Sequence, residues 1–407
     1  MDCRFCATPL VDVFLDLGTS PPSNAYLALE ALQSPETWFP LKLFTCRQCH
    51  LVQVDEVQGH AELFASDYAY HSSYSRSWLE HARRYVDKVV PRLGLGPDSL
   101  VVELASNDGY LLQYMAERSV PCLGIEPTAG TAAVAQSKGI DTLVRFFGRQ
   151  LADELVTTRG HADLIVANNV LAHVPDINDF VSGIGRLLSP AGTVTVEFPH
   201  LLELVEKHQF DTVYHEHFSY LSLRTVQAIF AAHGLRIWDV EELQTHGGSL
   251  RVWSSHAGAT YAKTSNVERV LQRERDAGMS TMEWYEGFQK VAEQAKNAFI
   301  AFLLEQKRAG KTLAAYGAAA KGNTLLNFAG IRSDLIAFVA DASPYKQGRF
   351  LPGSRIPVVN EQHLRDARPD FVVVLPWNLK QEITEQLSYV REWGGQFVFA
   401  IPQLATE

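Results

Sequence analysis

The chain has 407 residues, which is enough for two or three domains that each bury a core of their own. Its 46% hydrophobic and 20% charged residues are typical of a folded protein rather than a disordered one. The sequence shows no apolar run of membrane-spanning length and no signal-peptide pattern, and a net charge of −10 disfavours nucleic acid and anionic lipid as partners. We expect a cytoplasmic multidomain protein that binds no nucleic acid and no membrane, and that is a monomer or a weak homo-oligomer.

Four of the five cysteines form two C-x-x-C pairs, Cys3 with Cys6 and Cys46 with Cys49. Each pair can direct two thiolates at one point, and four sulfur ligands leave a zinc ion no open position for chemistry. A redox or disulfide pair is the alternative, which a reducing cytoplasm disfavours. The sequence therefore predicts a structural zinc site, and Cys122, in the apolar run CLGI, is expected to pack in a core.

From residue 99 onward, short apolar runs alternate with helical patterns. The runs are SLVVELAS, PCLGIEP, ADLIVANN and TVTVEFP. This order predicts a parallel sheet with helices on both faces, and ligands of such sheets bind at the carboxyl ends of the strands.

Polar and small residues stand at those strand ends. Glu126 ends the second strand, where a carboxylate can accept hydrogen bonds from both hydroxyls of a ribose, and the two asparagines after ADLIV could flank the adenine and amino-acid parts of a ligand. The candidate cofactor ligands are Glu103, Ala105, Asn107, Gly109, Glu126, Asn168 and Asn169.

This set resembles the S-adenosylmethionine site of class I methyltransferases. The usual E-x-G-x-G-x-G loop stands here as ELASNDG, in which Ala105 and Asn107 replace two glycines, so a dinucleotide-binding Rossmann domain remains the alternative. The HVPD string that begins at His173 favours the methyltransferase, although a histidine at that position is more often a packing or capping residue.

The segment YHEHFSYLS, residues 214–222, has neither a helical stripe nor the alternation of a strand. A histidine can take a proton near neutral pH, and an adjacent carboxylate can orient it. His217 is the first candidate for a catalytic base and His215 the second. A zinc-ligand pair or a surface histidine cluster is the alternative. An extended H-E-H segment would place both imidazoles on one side, but no further His or Cys cluster nearby completes a metal site.

The C-terminal third predicts a long helical region over residues 265–309 and then a second α/β domain. Its strands are LAAY, LIAFVAD, FVVVLP and QFVFAI. The turn at 317–323 can offer backbone amides and Lys321 to a phosphate, and Asp341 stands where a Rossmann domain places its ribose-binding acid. Tight helix packing is the alternative explanation of this small-residue turn.

Several unusual strings extend over nearly the whole chain. They are the two C-x-x-C pairs, DYAYHSSYS (67–75), ELASNDGYLL (103–112), YHEHFSYLS (214–222), HGGSLR (246–251), AAYGAAAKGNTLLN (314–327) and KQGRFLPGSRIPV (346–358). Together they resemble the sugar C-methyltransferases that act on nucleotide-linked 4-keto-deoxyhexoses.

The resemblance implies transfer of a methyl group from S-adenosylmethionine to C3 of a sugar linked to a nucleotide such as thymidine diphosphate, through an enolate. It implies that His217 removes the C3 proton and that Glu216 positions the His217 ring. It also implies that a tyrosine donates a hydrogen bond to the oxyanion at O4. Tyr214 is one such tyrosine, and Tyr70 is the other, with Tyr68 as its alternative.

The resemblance also implies that the C-terminal domain helps to hold the nucleotide diphosphate. Lys321 and Asn323 are the candidate substrate ligands in the small-residue turn, and Ser249 and Arg251 are candidates in HGGSLR.

The predicted fold is α/β, in three parts. A small four-cysteine zinc module spans residues 1–66, a class I methyltransferase Rossmann-like domain spans 67–244, and a second Rossmann-like α/β domain spans 245–407. Two other functions remain open: O- or N-methyl transfer to a nucleotide-sugar or other small molecule, which needs little base help, and a noncatalytic zinc-containing scaffold with a degenerate methyltransferase core.

Overall fold

A computed structural model describes residues 1–57 and 72–407. The N-terminal module is an antiparallel sheet built from β1 (Asp12–Ser20), β2 (Phe39–Thr45) and β3 (Val52–Val54). The second cysteine pair lies in the turn that joins β2 to β3. The first pair precedes β1, so both pairs reach the same end of the sheet.

The central part of the chain alternates helices and strands as the sequence predicts. Its elements are α1 (Arg76–Leu93), β4 (Val101–Leu104), α2 (Leu112–Ala116), β5 (Cys122–Ile125), α3 (Ala129–Ser137), β6 (Thr142–Leu143), α4 (Arg149–Arg159), β7 (Ala162–Asn168), α5 (Ile177–Leu187), β8 (Leu188–Pro199), α6 (Leu201–Glu206), β9 (Ser219–Tyr220), α7 (Leu223–Ala232), β10 (Leu235–Leu243) and β11 (Ser249–His256). All four residues of β4 are buried, as expected for a parallel strand covered by helices on both faces.

Seven of these strands form one sheet in the order β10-β11-β8-β7-β4-β5-β6. The strands from β6 to β8 are parallel, and β11 inserts antiparallel between β8 and β10. This is the topology of class I methyltransferases, and it confirms the predicted fold of the central domain.

The domain boundary predicted after residue 244 falls within the β10–β11 hairpin, whose two strands are hydrogen-bonded from Leu235 to His256. A strand inside a sheet cannot be divided from its neighbours without losing a ladder of hydrogen bonds. We therefore propose that the central domain ends after His256 rather than at 244.

The remaining elements build the second α/β domain. They are α8 (Ser265–Asp276), α9 (Phe288–Arg308), β12 (Leu313–Tyr316), α10 (Ala320–Phe328), β13 (Val339–Ala340), β14 (Val358–Val359), α11 (Glu361–Ala367), β15 (Phe371–Val374), α12 (Lys380–Gln386), β16 (Gln396–Phe399) and β17 (Ala405–Thr406). The sheet order is β14-β13-β12-β15-β16-β17, with every neighbouring pair parallel except β16 with β17. The expected second Rossmann-like sheet is present.

The N-terminal module, the central domain and the C-terminal domain pack against one another. Strand β9, from the YHEHFSYLS segment, pairs with β3 and becomes the fourth strand of the N-terminal sheet. One buried apolar cluster runs through the N-terminal module, this segment and the C-terminal domain, with Leu43, Phe218 and Leu326 among its members. The segment at 210–220 is thus fixed from both sides.

Among the described helices, none combines the length and the apolar character that crossing a bilayer requires.

Candidate active site and zinc centre

The four predicted zinc ligands meet at one point. The sulfur atoms of Cys3, Cys6, Cys46 and Cys49 all lie within 4.8 Å of one another, with the Cys6–Cys46 pair at 3.4 Å and the Cys3–Cys49 pair at 3.6 Å. Tetrahedral zinc with bonds of about 2.3 Å places its sulfur ligands about 3.8 Å apart, so the cluster fits that ion. Gln53 donates its side-chain N–H to Cys3 Sγ at 3.2 Å and supports the thiolate.

Cys122 is separate from this cluster. It packs against the apolar core beside α1 and α2, as predicted, and burial raises the pKa of its thiol to about 11. A thiol of this kind is inert rather than reactive.

The turn after β4 has the left-handed backbone that glycines usually supply. Ala105 and Asn107, which replace two glycines of the usual loop, have φ of 56° and 51°. Gly109 has φ of 75°, and a Cβ there would lie 3.3 Å from Ala135. Strained non-glycine residues at a strand end are characteristic of functional sites, so the substitutions keep the shape of a cofactor-binding loop.

Glu126 holds this turn. Its carboxylate accepts hydrogen bonds from the backbone N–H of Asn107 at 2.9 Å and of Thr128 at 2.8 Å. Burial raises the pKa of Glu126, and these hydrogen bonds oppose that shift. The side chains of Thr128 and Thr131 also hydrogen-bond this carboxylate, so a ribose whose hydroxyls bind Glu126 would replace or share these threonine contacts.

Two further predicted cofactor ligands are buried near the strand ends. Burial raises the pKa of Glu103 well above its usual range, against the opposing effect of the Tyr110 hydroxyl. Within the described residues, the side-chain oxygen of Asn168 has no hydrogen-bond partner, so a buried acceptor is available to a ligand. Asn169, also left-handed with φ of 51°, instead directs its amide to His246 Nε2 at 3.4 Å.

The H-E-H segment is a turn rather than an extended strand, because the His217 amide donates to the Tyr214 carbonyl at 3.0 Å. The two imidazoles therefore diverge, contrary to the sequence prediction. His215 donates from Nε2 to the Pro40 carbonyl at 3.1 Å and packs against the N-terminal module. His215 is a structural residue, and His217 is the candidate base.

His217 is held in one tautomer. Its Nδ1 lies 2.9 Å from the Thr212 carbonyl, and since a carbonyl only accepts, Nδ1 carries the proton and Nε2 is the free base in the neutral ring. The ring packs on Tyr214 at 3.9 Å between centroids and lies edge-on to His173 at 4.6 Å. A general base at this position would have its orientation set by its second nitrogen.

Glu216 does not support His217 as predicted. Its carboxylate accepts from the Asn24 amide at 3.1 Å, and its backbone carbonyl accepts from His173 Nδ1 at 2.7 Å. The Thr212 carbonyl takes the expected role because the turn directs the Glu216 side chain toward the N-terminal module. Burial raises the pKa of Glu216, and its second oxygen has no partner in the described part of the chain.

Three histidines around this point are uncharged near neutral pH. Burial lowers the pKa of His173 and of His246 to about 4, and burial together with His173 lowers that of His217 well below its usual range. The charge of Lys321 acts in the same direction on His217 and His246. The neutral imidazole is the form that can accept a proton, and a positive charge on Lys321, whose own pKa burial lowers, would disfavour protonation of the ring but stabilise an anion formed nearby.

Lys321 and Asn323 begin α10 at the edge of this centre. Lys321 Nζ donates to Asn378 Oδ1 at 2.7 Å and lies 4.6 Å from the centre of the Trp377 ring. Asn323 donates to the Ser23 carbonyl at 2.7 Å, which joins the C-terminal domain to the N-terminal module.

Asp341 has a local role. It accepts the backbone N–H groups of Ala318 at 2.7 Å and of Ser343 at 2.8 Å, so it holds the small-residue turn. The Asp341 carboxylate therefore shapes this turn. The sequence had suggested instead that it binds a ribose.

Ser249 and Arg251 lie on β11 in the central sheet. Arg251 is only 3% exposed and donates to Glu197 at 2.7 Å, while Ser249 donates to the Thr245 carbonyl at 2.9 Å. Although burial opposes it, His81 and Arg251 hold the pKa of Glu197 at about 2. This buried ion pair joins β8 to β11, and we do not assign these two predicted residues to the substrate.

Tyr70 and its alternative Tyr68 lie outside the described residues. Sequence reasoning missed Thr212, Asn24, Asp211 and Trp377. The first acts through a backbone carbonyl, which no residue type reveals, and the others lie far along the chain from the groups that they contact.

Comparison with known proteins identifies the family. Three family models match successive parts of the chain: a zinc binding domain over residues 3–64, a methyltransferase domain over 78–240, and a C-methyltransferase C-terminal domain over 244–402. The chain is 35% identical to C-methyltransferase NovU from Streptomyces niveus, over 99% of this chain and 96% of that protein. This chain belongs to the S-adenosylmethionine-dependent C-methyltransferases. The enzyme uses that cofactor and carries an N-terminal zinc module, as predicted.

Two other similarities cover less of the enzyme. A ubiquinone biosynthesis O-methyltransferase from Azorhizobium caulinodans is 29% identical over 97 residues, which is 24% of this chain and 38% of that protein. Magnesium protoporphyrin IX methyltransferase from Synechocystis PCC 6803, solved with bound S-adenosylmethionine, matches 50% of this chain and 100% of its own at 14% identity and a TM-score of 0.36.

Replacing Cys46 with serine should abolish binding of one zinc ion and lower the melting temperature. Structural zinc contributes on the order of 10 kcal/mol to the folding of small zinc domains, and a serine hydroxyl is a poor ligand. Metal content by mass spectrometry and thermal denaturation measure both effects. The control Cys122→Ser should keep its zinc; equal zinc content in the two variants would contradict the assignment.

Replacing Glu126 with glutamine should raise the dissociation constant of S-adenosylhomocysteine about 10- to 100-fold. A hydrogen bond to a charged acceptor contributes about 1.5–3 kcal/mol, and 1.4 kcal/mol corresponds to a factor of ten. Isothermal titration calorimetry measures the change, with Glu117→Gln at an exposed position of the same domain as the control. Unchanged affinity in E126Q would remove Glu126 from the cofactor site.

Proposed function

We propose that the enzyme methylates C3 of a nucleotide-linked 4-keto-deoxyhexose, with thymidine diphosphate as the expected nucleotide, through an enolate. The observation that carries this proposal is the neutral His217 imidazole, whose Nδ1–H donates to the Thr212 carbonyl and so leaves Nε2 unprotonated. Methylation of carbon needs a carbanion equivalent and therefore a base, whereas transfer to oxygen or nitrogen needs little help of this kind.

The ketone at C4 makes the hydrogen on C3 acidic. His217 Nε2 takes this proton, the C3–H electron pair moves toward C4, and the negative charge collects on O4. S-adenosylmethionine, which Glu126 and the turn after β4 would hold, would supply an electrophilic methyl group for C3, with its sulfur as the leaving atom. The protonated His217 keeps its Nδ1–H bond to Thr212, so the ring does not need to turn during the reaction.

The remaining roles fall to other side chains. Tyr214, whose ring centre lies 3.9 Å from that of His217, is a proposed donor to the enolate oxygen, and Tyr70, which lies outside the described residues, is the second donor that the family resemblance implies. Lys321 supplies a positive charge near the same point. Glu216 keeps one carboxylate oxygen for a sugar hydroxyl.

The C-terminal domain is the proposed site of the nucleotide diphosphate. Lys321 is the cation on its inner edge, and Asn323 has a buried side-chain oxygen that has no partner in residues 1–57 and 72–407. The small-residue turn between β12 and α10 allows close approach of a phosphate to the backbone.

Replacing His217 with asparagine should lower kcat about 100- to 10,000-fold and abolish exchange of the C3 hydrogen with solvent, because both steps need the base. Methyl transfer is measured with a thymidine diphosphate 4-keto-deoxyhexose, exchange by NMR in deuterium oxide, and a quaternary carbon in the product establishes the position. The matched variant His215→Asn should keep activity within a few fold. Retention of both reactions in H217N would reject His217 as the base.

The rate should be insensitive to acid over the range in which an ordinary histidine titrates. The base acts in its neutral form, and the pKa of His217 is lowered by burial, so the neutral form persists as the pH falls through about 6.5 and is lost only at the lower, shifted pKa. A kcat–pH profile from pH 5 to 8 checks this. An acid limb centred near 6.5 would show that a different group limits the rate.

A further inference from the structure

The turn that carries the proton acceptor of His217 is held from outside the central domain. Thr212 lies between two residues that the C-terminal domain binds directly. Trp377 Nε1 donates to Asp211 Oδ2 at 2.7 Å, and the Thr324 hydroxyl donates to the Val213 carbonyl at 2.7 Å. The carbonyl that fixes the His217 tautomer is therefore positioned by groups more than 100 residues away along the chain.

Trp377 also contacts the loop of a second histidine. Gly247, with φ of 86°, approaches the indole so closely that a Cβ there would lie 2.5 Å from its six-membered ring. The residue before it, His246, belongs to the uncharged histidine group. The Trp377 indole thus contacts both the turn that precedes His217 and the loop that carries His246.

The same indole lies against the positive charge of the site. Lys321 Nζ is 4.6 Å from the ring centre and is held by Asn378, the neighbour of Trp377. Asp211 is fully buried; burial raises the pKa of its carboxyl to about 6, while Lys321 and the Trp377 N–H oppose that shift. The segment after β15 therefore arranges a lysine and a carboxylate around one ring.

We propose that Trp377 is a positioning residue of the methyl-transfer reaction, which holds Asp211 and so the Thr212 carbonyl in the place that keeps His217 in its Nδ1-protonated tautomer. In this role Trp377 does not touch the substrate. The C-terminal domain then contributes to catalysis through the geometry of the central domain as well as through substrate binding. The kinetic part of this inference rests on the proposed function; the tautomer part does not.

Replacing Trp377 with phenylalanine keeps an aromatic ring and removes the N–H donor. We expect kcat to fall about tenfold, with the KM for S-adenosylmethionine unchanged. Histidine ¹⁵N spectra should show His217 moving from a single Nδ1-protonated form to a mixture of tautomers, with its signals assigned from their loss in H217N. Trp393→Phe is the matched control, because its indole donates to the Pro369 carbonyl at 3.0 Å within the same domain.

A second variant covers the case in which W377F does not fold. Asp211→Ala removes the acceptor of the indole N–H from the other side of the same bond, so it should give the same mixture of His217 tautomers and a similar fall in kcat, and a single unchanged tautomer in D211A would also overturn the inference. Unchanged His217 signals in W377F, with or without a fall in kcat, would overturn the inference. So would a mixture of tautomers in W393F. If the tautomer responds as expected while H217N remains active, the proposed function fails and the positioning role stands.

Discussion

The hydrogen bond from His217 Nδ1 to the Thr212 carbonyl is the interaction on which the proposed chemistry depends. A histidine can act as a base through either nitrogen, and a backbone acceptor on one of them decides which is left free. A carbonyl cannot be titrated, so the acceptor of this hydrogen bond is the same group at acid and at neutral pH. A carboxylate in the same place would have raised the pKa of the ring and made it charged more often.

The segment that contains this bond connects all three parts of the enzyme. Strand β9 extends the N-terminal sheet, and the Arg4 guanidinium beside the zinc ligands lies over the Phe218 ring at 5.2 Å. The C-terminal domain binds the other end of the segment through Thr324 and Trp377. The zinc module and the second α/β domain thus stabilise a turn that neither of them contains. Close packing transmits such constraints because interiors have few voids.

Much of the fold could be predicted because its signals are local. Buried parallel strands appear as continuous apolar runs, and two C-x-x-C pairs imply one four-sulfur site whatever lies between them. The position of the turn after β4 could be predicted. Its left-handed backbone was harder to predict, because Ala105 and Asn107 stand where glycines are usual. The end of the central sheet was harder to predict. Strand β11 returns antiparallel after a short connection, and its residue pattern does not reveal which strands it pairs with.

The sequence by itself determined the zinc ligands, the order of the two α/β sheets and the presence of a histidine at 217 among polar and aromatic neighbours. Only the tertiary structure decided which neighbour each of these groups faces. The His215–Glu216 turn sends one imidazole to Pro40 and the carboxylate to Asn24, and it leaves His217 to a backbone oxygen. Hydrogen bonds depend on distances in space, and the groups that fix this turn come from residues far from it in the chain.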